Sequence, residues 1–289
     1  MPPSLICPDA FLSPLEIDDA VHRALAEDLG RAGDVTSIAT IPEDTPARAV
    51  VVARRPGVIA GLPLVAATFL KLAPEITITA DRRDGADVAA KTALMRIEGP
   101  ARAVLAAERT ALNLLGHLSG VATATHEFVR RVAHTRLRIC FTRKTTPGLR
   151  ALEKYAARCG GGFNHRFGLD DAMLIKDNHI ALAGSIRTAI ELAKAHAGHL
   201  VKIEVEVDTL AQLEQVLALG VDAVLLDNMT TDELRQAVAM VDGRAITEAS
   251  GRITAATAPA VAATGVDLIS IGWLTHSAPV LDIGMDFQT

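Results

Sequence analysis

A chain of 289 residues that is 49% hydrophobic but only 3% aromatic can bury a sizeable core of Ala, Val, Leu and Ile, in one large domain or two modest ones. The net charge of −5 excludes a surface built as a whole for nucleic acid, so any anion-binding patch must be local. Cys7, Cys140 and Cys159 are widely spaced and form no CxxC pair, which excludes a disulfide framework and a structural zinc site. Met1–Pro14 carries no signal pattern and no run of about 18 apolar residues occurs, so the expectation is a cytoplasmic, non-membrane protein.

In chain order, apolar spacing predicts a helix over Pro14–Leu29, a strand over Ala47–Ala53, a short helix near Pro63–Leu72, and strands near Ile76–Thr79 and Ala93–Ile97. This is an α+β pattern. A long helical segment follows, Ala101–Leu118 and then Val121–Ala133, with a break expected at Ser119-Gly120. From about Leu137 one unit repeats, a short β-branched run followed by an amphipathic helical stretch, as parallel βα units require. Strands are expected at Leu137–Phe141, Ala172–Ile175, Val201–Val207, Ala223–Leu226, Ala245–Ala249 and Leu268–Ile271. Helices are expected at about Leu149–Arg158, Ser185–Ala195, Leu210–Leu219, Asp232–Met240 and Ala255–Ala263. Thr230 stands three residues before Glu233 as a capping box, and Thr209 is placed to cap the next helix upstream.

Polar residues end each predicted strand: Thr142, Arg143 and Lys144, then Lys176, Glu206, Asp227, Glu248 with Ser250-Gly251, and Gly272. In a parallel barrel these ends share the face that builds active sites, with the last two loops suited to phosphate. Glu206, Asp227 and Glu248 recur every 21 residues, one βα unit each; any one alone reads as a solvated loop acid, but their in-phase recurrence favours function. Between Phe141 and Gly168 stand Arg143, Lys144, Arg150, Lys154, Arg158 and Arg166 against a single acid, Glu153, which suits a small, multiply anionic, phosphorylated ligand. Arg150, Lys154 and Arg158 follow one another at helical spacing and are read as an outward basic stripe, outside the site. The run Gly160-Gly161-Gly162 lets backbone approach a ligand or move, though such runs are often plain loops. Lys176 in a barrel mouth implies an anion opposite it or covalent chemistry. His165 and His179 lack zinc spacing, whereas Glu206 and Asp227 suit Mg²⁺.

At these residues the sequence resembles the quinolinate phosphoribosyltransferase family. The motifs run along nearly the whole chain: Glu27-Asp28 with Gly33-Asp34-Val35-Thr36-Ser37, Glu108 to Asn113, Thr142-Arg143-Lys144-Thr145, Gly160 to Arg166, Leu174 to His179, Glu204 to Val207, Leu226-Asp227-Asn228, Glu248 to Gly251, and Thr275-His276-Ser277. The resemblance implies an incomplete α/β barrel over 119–275 beside an N-terminal α/β sandwich domain over 1–118 that is completed by 276–289. It further implies a homodimer in which Arg109 reaches the partner's site. Arg143, His165 and Arg166 would hold the quinolinate carboxylates together with that Arg109. Lys144 and Lys176 would lie between substrate and pyrophosphate, and Glu206 and Asp227 around the ribose hydroxyls and Mg²⁺. Thr142 belongs to the substrate-binding set, and Ser250, Gly251 and Gly272 match the 5′-phosphate loops. Arg252 departs from the family's usual glycine after Ser-Gly, and would add a cation to the phosphate loop or crowd it. A paralogous group associated with molybdenum uptake lacks the Lys176-Asp177-Asn178-His179 run. Two other readings remain, a Schiff-base lyase acting through Lys176 and a non-catalytic anion-binding protein; neither accounts for Arg109, Glu206 and Asp227 together.

Overall fold

The computed structural model describes residues 5–288; the start of the proline-containing N-terminal stretch, Met1–Ser4, and Thr289 lie outside it. In chain order the elements begin with α1 (Pro14–Leu29), α2 (Val35–Thr40), β1 (Pro46–Ala53), β2 (Gly57–Val58), α3 (Leu62–Leu72), β3 (Thr77–Ala80), β4 (Asp87–Val88), β5 (Ala93–Pro100) and α4 (Ala101–Val132). They continue with β6 (Arg138–Phe141), α5 (Arg150–Cys159), β7 (Phe163–Asn164), β8 (Met173–Ile175), α6 (Asp177–Ala183), α7 (Ile186–His196), β9 (Ile203–Val207) and α8 (Leu210–Leu219). The last are β10 (Ala223–Asp227), α9 (Thr231–Val241), β11 (Ile246–Ser250), α10 (Ala258–Ala262), β12 (Leu268–Ile271), α11 (Trp273–His276) and β13 (Ile283–Gln288). Two compact units result. One is 1–126 with 145–161 and 274–289, and the other is 127–144 with 162–273, so α5 belongs with the first unit rather than with the barrel.

The first unit is built on an antiparallel sheet of order β13-β1-β5-β3. The chain's last strand, β13, pairs with β1 from Arg48 opposite Gln288 to Ala53 opposite Ile283, so the C-terminus completes the N-terminal sheet. Val51, Phe69, Met95, Ile97, Val104 and Leu115 bury the sheet against α3 and α4. The second unit holds a seven-stranded, all-parallel sheet of order β7-β6-β12-β11-β10-β9-β8, open between β7 and β8. This is the incomplete barrel that the resemblance implies, with one strand more than the six read from the βα repeat, because β7 is only two residues long. The capping boxes at Thr230 with Glu233 and at Thr209 with Gln212 are both formed.

Two expectations are corrected. Helix α4 is continuous through Ser119-Gly120. A Cβ at Gly120 would lie 2.1 Å from the Pro279 carbonyl oxygen, so glycine is required there to let the C-terminal segment cross the helix. Its helix-propensity penalty of about 1 kcal/mol is offset by that close packing. Gly120→Ala is therefore expected to destabilise the fold by about 2 kcal/mol, read as a lower Tm in thermal unfolding, because backbone must move to admit a methyl group. The second correction concerns α5. Lys154 is only 5% exposed and Arg150 and Arg158 are half-buried, so the three do not form a solvated stripe. Helical spacing places them on one face, but the fold turns that face inward.

Candidate active site

Burial alternates along β9. On β9, Ile203, Val205 and Val207 are buried on one face, while Glu204 and Glu206 stand on the other. In parallel register Leu225 lies opposite both Glu206 and Glu248, and Asp227 lies opposite Ser250. Glu206 and Glu248 thus share one layer and Asp227 stands one step nearer the C-terminal edge. The uniform spacing of 21 residues does not place the three acids at equal height, because the connections between strands differ in length.

Above these layers opens a cavity of about 410 Å³ at the C-terminal ends of the strands, within the size range of small-molecule sites. Its lining contains nine of the twelve residues that the resemblance assigns to the site: Thr142, Arg143, Lys144, His165, Arg166, Lys176, Glu206, Asp227 and Ser250. Glu248, Ser270, Leu174 and Leu225 line it as well. Ser270 was not foreseen, although it lies on the same strand face as Gly272, two residues on. Gly272 follows β12 beside the Lys144 stem, and the Lys144 N–H donates to Thr142 Oγ1 at 3.0 Å. Gly251 has φ +100°, and a Cβ there would stand 2.3 Å from Asn228 Oδ1, so only glycine closes the β11 turn against the end of β10. Arg252 follows at φ +46°, a left-handed conformation that favours glycine, and it is exposed and absent from the lining. Arg109 is exposed on α4 in the first unit.

Charges inside the cavity are held by one sequence-distant pair and by local contacts. The Lys176 ammonium donates to Glu206 Oε2. The Lys176 N–H donates to His179 Nδ1 at 3.0 Å, which anchors the start of α6. Asn228 Nδ2 donates to Asp227 Oδ2 at 2.6 Å. Glu206 and Asp227 offer carboxylate oxygens, the donor type that hard cations take, from the neighbouring strands β9 and β10.

Beneath the cavity His165 Nε2 lies 3.3 Å from Glu204 Oε2 and 3.4 Å from Glu248 Oε2, while the Arg166 N–H donates to its Nδ1 at 2.7 Å. Burial works against charge on the ring, but the hydrogen bonds and fields of Glu204 and Glu248 outweigh it and raise the His165 pKa to about 10. Both carboxylates face Nε2, so the proton they favour is the one on Nε2. Burial raises the Glu204 carboxyl, and His165 counteracts it. Burial lowers the Arg166 guanidinium, with Arg143 adding to the effect and Glu204 opposing it. Glu204 was missed as a separate participant because a glutamate inside an alternating strand carries no signal of which face is wet.

Most of the chain matches one family in two parts: "Quinolinate phosphoribosyl transferase, N-terminal domain" over residues 34–119 and "Quinolinate phosphoribosyl transferase, C-terminal domain" over residues 121–286. The chain belongs to the quinolinate phosphoribosyltransferase family. Within this family it is 44% identical over 272 residues to the probable nicotinate-nucleotide pyrophosphorylase [carboxylating] of Bacillus subtilis, covering 94% of this chain and 93% of that protein. It is 45% identical over 287 residues to the nicotinate-nucleotide pyrophosphorylase [carboxylating] of Mycobacterium leprae, covering 96% and 100% of the two chains. Among solved structures, the nicotinate-nucleotide pyrophosphorylase of Francisella tularensis superposes with a TM-score of 0.92 at 37% identity, covering 96% of this chain and 98% of that one. The family's two-part division at residues 119 to 121 falls inside α4, five residues or more before the compact units divide. Among the described residues no helix is long and apolar enough to cross a membrane.

Proposed function

We propose that this protein transfers the phosphoribosyl group of 5-phosphoribosyl pyrophosphate to quinolinate with decarboxylation, giving nicotinate mononucleotide, pyrophosphate and CO₂ in de novo NAD biosynthesis. The observation that carries this reading is the single cavity in which Arg143, Lys144, Arg166 and Lys176 face Glu206 and Asp227 in a chain of this family.

Arg143, His165 and Arg166 line the part of the cavity suited to a planar dicarboxylate, since guanidinium forks match carboxylates in bidentate fashion. Lys144 and Lys176 stabilise negative charge that grows on the leaving pyrophosphate. Glu206 and Asp227 orient the ribose and favour positive character at C1 as the ring nitrogen attacks. Ser250, Gly251 and Gly272 receive the 5′-phosphate through hydroxyl and backbone N–H groups. Thr142 supports Lys144 from the same strand end. Mg²⁺, when bound, would be held by Glu206 and Asp227 and would supply neutralisation of the pyrophosphate charge. Once the ring nitrogen is alkylated its positive charge stabilises the carbanion that loss of CO₂ leaves at the adjacent ring carbon, and that carbon then takes a proton from water, so no protein nucleophile is needed.

The proposal includes a homodimer with Arg109 completing the partner's site, and a reducing, cytoplasmic location in keeping with three cysteines that are all free. Release of labelled CO₂ from carboxyl-labelled quinolinate, dependent on both phosphoribosyl pyrophosphate and Mg²⁺, is the expected result. Folded protein that binds anions but releases no CO₂ would sink the transferase reading.

A further inference from the structure

The segment that presents His165 and Arg166 runs from a short strand into a turn closed by Asp171, which accepts the Phe167 and Gly168 N–H groups at 2.6 and 2.9 Å. It follows β7, a two-residue strand at one edge of the open sheet. Among the described residues its ladder partners are Cys140 and Phe141 of β6. A bidentate carboxylate site needs its guanidinium held to within a fraction of an ångström, so something other than the ladder must hold this segment.

Two strands away from β6 and beyond, Glu248 on β11 and Glu204 on β9 extend toward the same ring nitrogen of His165. The His165 and Glu204 side chains are each 13% exposed and Glu248 is 1% exposed. Glu248 Oε1 is buried without a hydrogen-bond partner among the described residues, so this carboxylate is kept inside the barrel with its one formed contact directed at His165. The other ring nitrogen, Nδ1, accepts the Arg166 N–H, and Arg166 Nη1 donates to the Ala172 carbonyl at 3.2 Å. The imidazole therefore links two acids of the sheet interior to the backbone at Arg166. The three side chains offer ligand atoms within 4.8 Å of one another, as a metal would need, but both carboxylates already face His165 Nε2 and the Arg166 guanidinium favours charge on Glu204.

We infer that Glu204 and Glu248 are positioning residues for the pyridine-acid end of the cavity: they hold His165 through Nε2, and His165 in turn sets the backbone from which Arg166 reaches the substrate. This rests on the proposed transfer to quinolinate. Neither acid touches the reacting atoms. Their loss weakens recognition of the dicarboxylate and spares the phosphoribosyl end, where Ser250, Gly251 and Gly272 stand.

The test is a double-mutant cycle of Glu204→Ala and His165→Asn in the full-length enzyme, with steady-state kinetics for both substrates, and Glu204→Gln as the conservative variant that keeps an acceptor. Each single change is expected to raise KM for quinolinate by about tenfold with KM for phosphoribosyl pyrophosphate within about twofold. The double variant should be no worse than His165→Asn, and Glu204→Gln should recover most of the loss. Additive effects in the cycle, or an equal rise in both KM values, would overturn the assignment, as would one tightly bound transition metal per chain that is lost in Glu248→Gln. If Glu204→Ala does not fold, Glu204→Gln enters the cycle and must show the same coupling with His165→Asn. Wild-type turnover separates the two levels: without it the transferase reading falls, whereas an active wild type with an additive cycle removes only the positioning role.

Discussion

Lys176→Ala is expected to lower kcat/KM for quinolinate by about 10³, or ~4 kcal/mol of transition-state stabilisation, the scale found when a preorganised charge donor is removed. Lys176 stands at the N-terminus of α6, where His179 fixes its backbone and Glu206 its ammonium. Its removal deletes a cation and leaves the Glu206 carboxylate, 12% exposed, without that partner in a cavity that must accept pyrophosphate and carboxylates. The side chain itself is 43% exposed, so Tm should stay within about 3 °C of wild type, the shift of a change worth under 1 kcal/mol in a domain of this size. Full turnover by Lys176→Ala would remove the cationic cluster from the mechanism. The same variant tests the shared site: mixed with inactive Arg109→Ala, it should regain about a quarter of wild-type activity, because a C₂ heterodimer carries both defects in one site and leaves the other intact. No recovery on mixing would remove Arg109 from the partner's site.

Asp84→Ala should have the largest effect on stability, a loss of about 3–5 kcal/mol by equilibrium denaturation. Asp84 is 1% exposed in the first unit. It accepts the N–H groups of Gly61 and Leu62 at 2.9 and 3.0 Å, capping α3, whose own N-cap residue offers no side chain. It also accepts the Tyr155 hydroxyl at 2.7 Å, which in turn accepts the Cys7 N–H at 3.2 Å. Alanine would leave a helix N-terminus and a buried phenol unsatisfied at once.

The same group gives a pH signature. Burial raises the Asp84 carboxyl to about 7 against the opposing pull of its three donors. The folded state therefore binds this proton more tightly than the unfolded state, and stability falls as pH rises between the two pKa values. The contribution is fully present below about pH 4 and is lost as pH passes through about 7. Asp84→Asn removes the titration, so its unfolding free energy should lack this slope between pH 4 and 7; an unchanged slope would show that Asp84 is ionised throughout.

Much of the second unit was legible because its signal is local. Alternating β-branched runs and amphipathic helices mark parallel βα units whatever surrounds them, and the polar residues at strand ends then fall on one face by geometry. Thr142, Lys176, Asp227 and Ser250 could be placed in one cavity for that reason. Where the reading failed, the missing information was non-local. Gly120 reads as a helix break until Pro279, 159 residues later, occupies the space a side chain would fill. Lys154 reads as solvated until the fold shows which way α5 turns its basic face.

The acids divide in the same way. Periodicity alone marked Glu206, Asp227 and Glu248 as a set, and local spacing could not tell them apart. The strand register did: Asp227 rises to the mouth, Glu206 meets Lys176, and Glu248 joins Glu204 around His165. The sequence by itself determined the family, the βα architecture and the chemical inventory of the cavity, because hydrophobic period and residue type are properties of the chain. Which charge faces which was decided only in the tertiary structure, because pairing depends on register, burial and direction between strands distant in sequence.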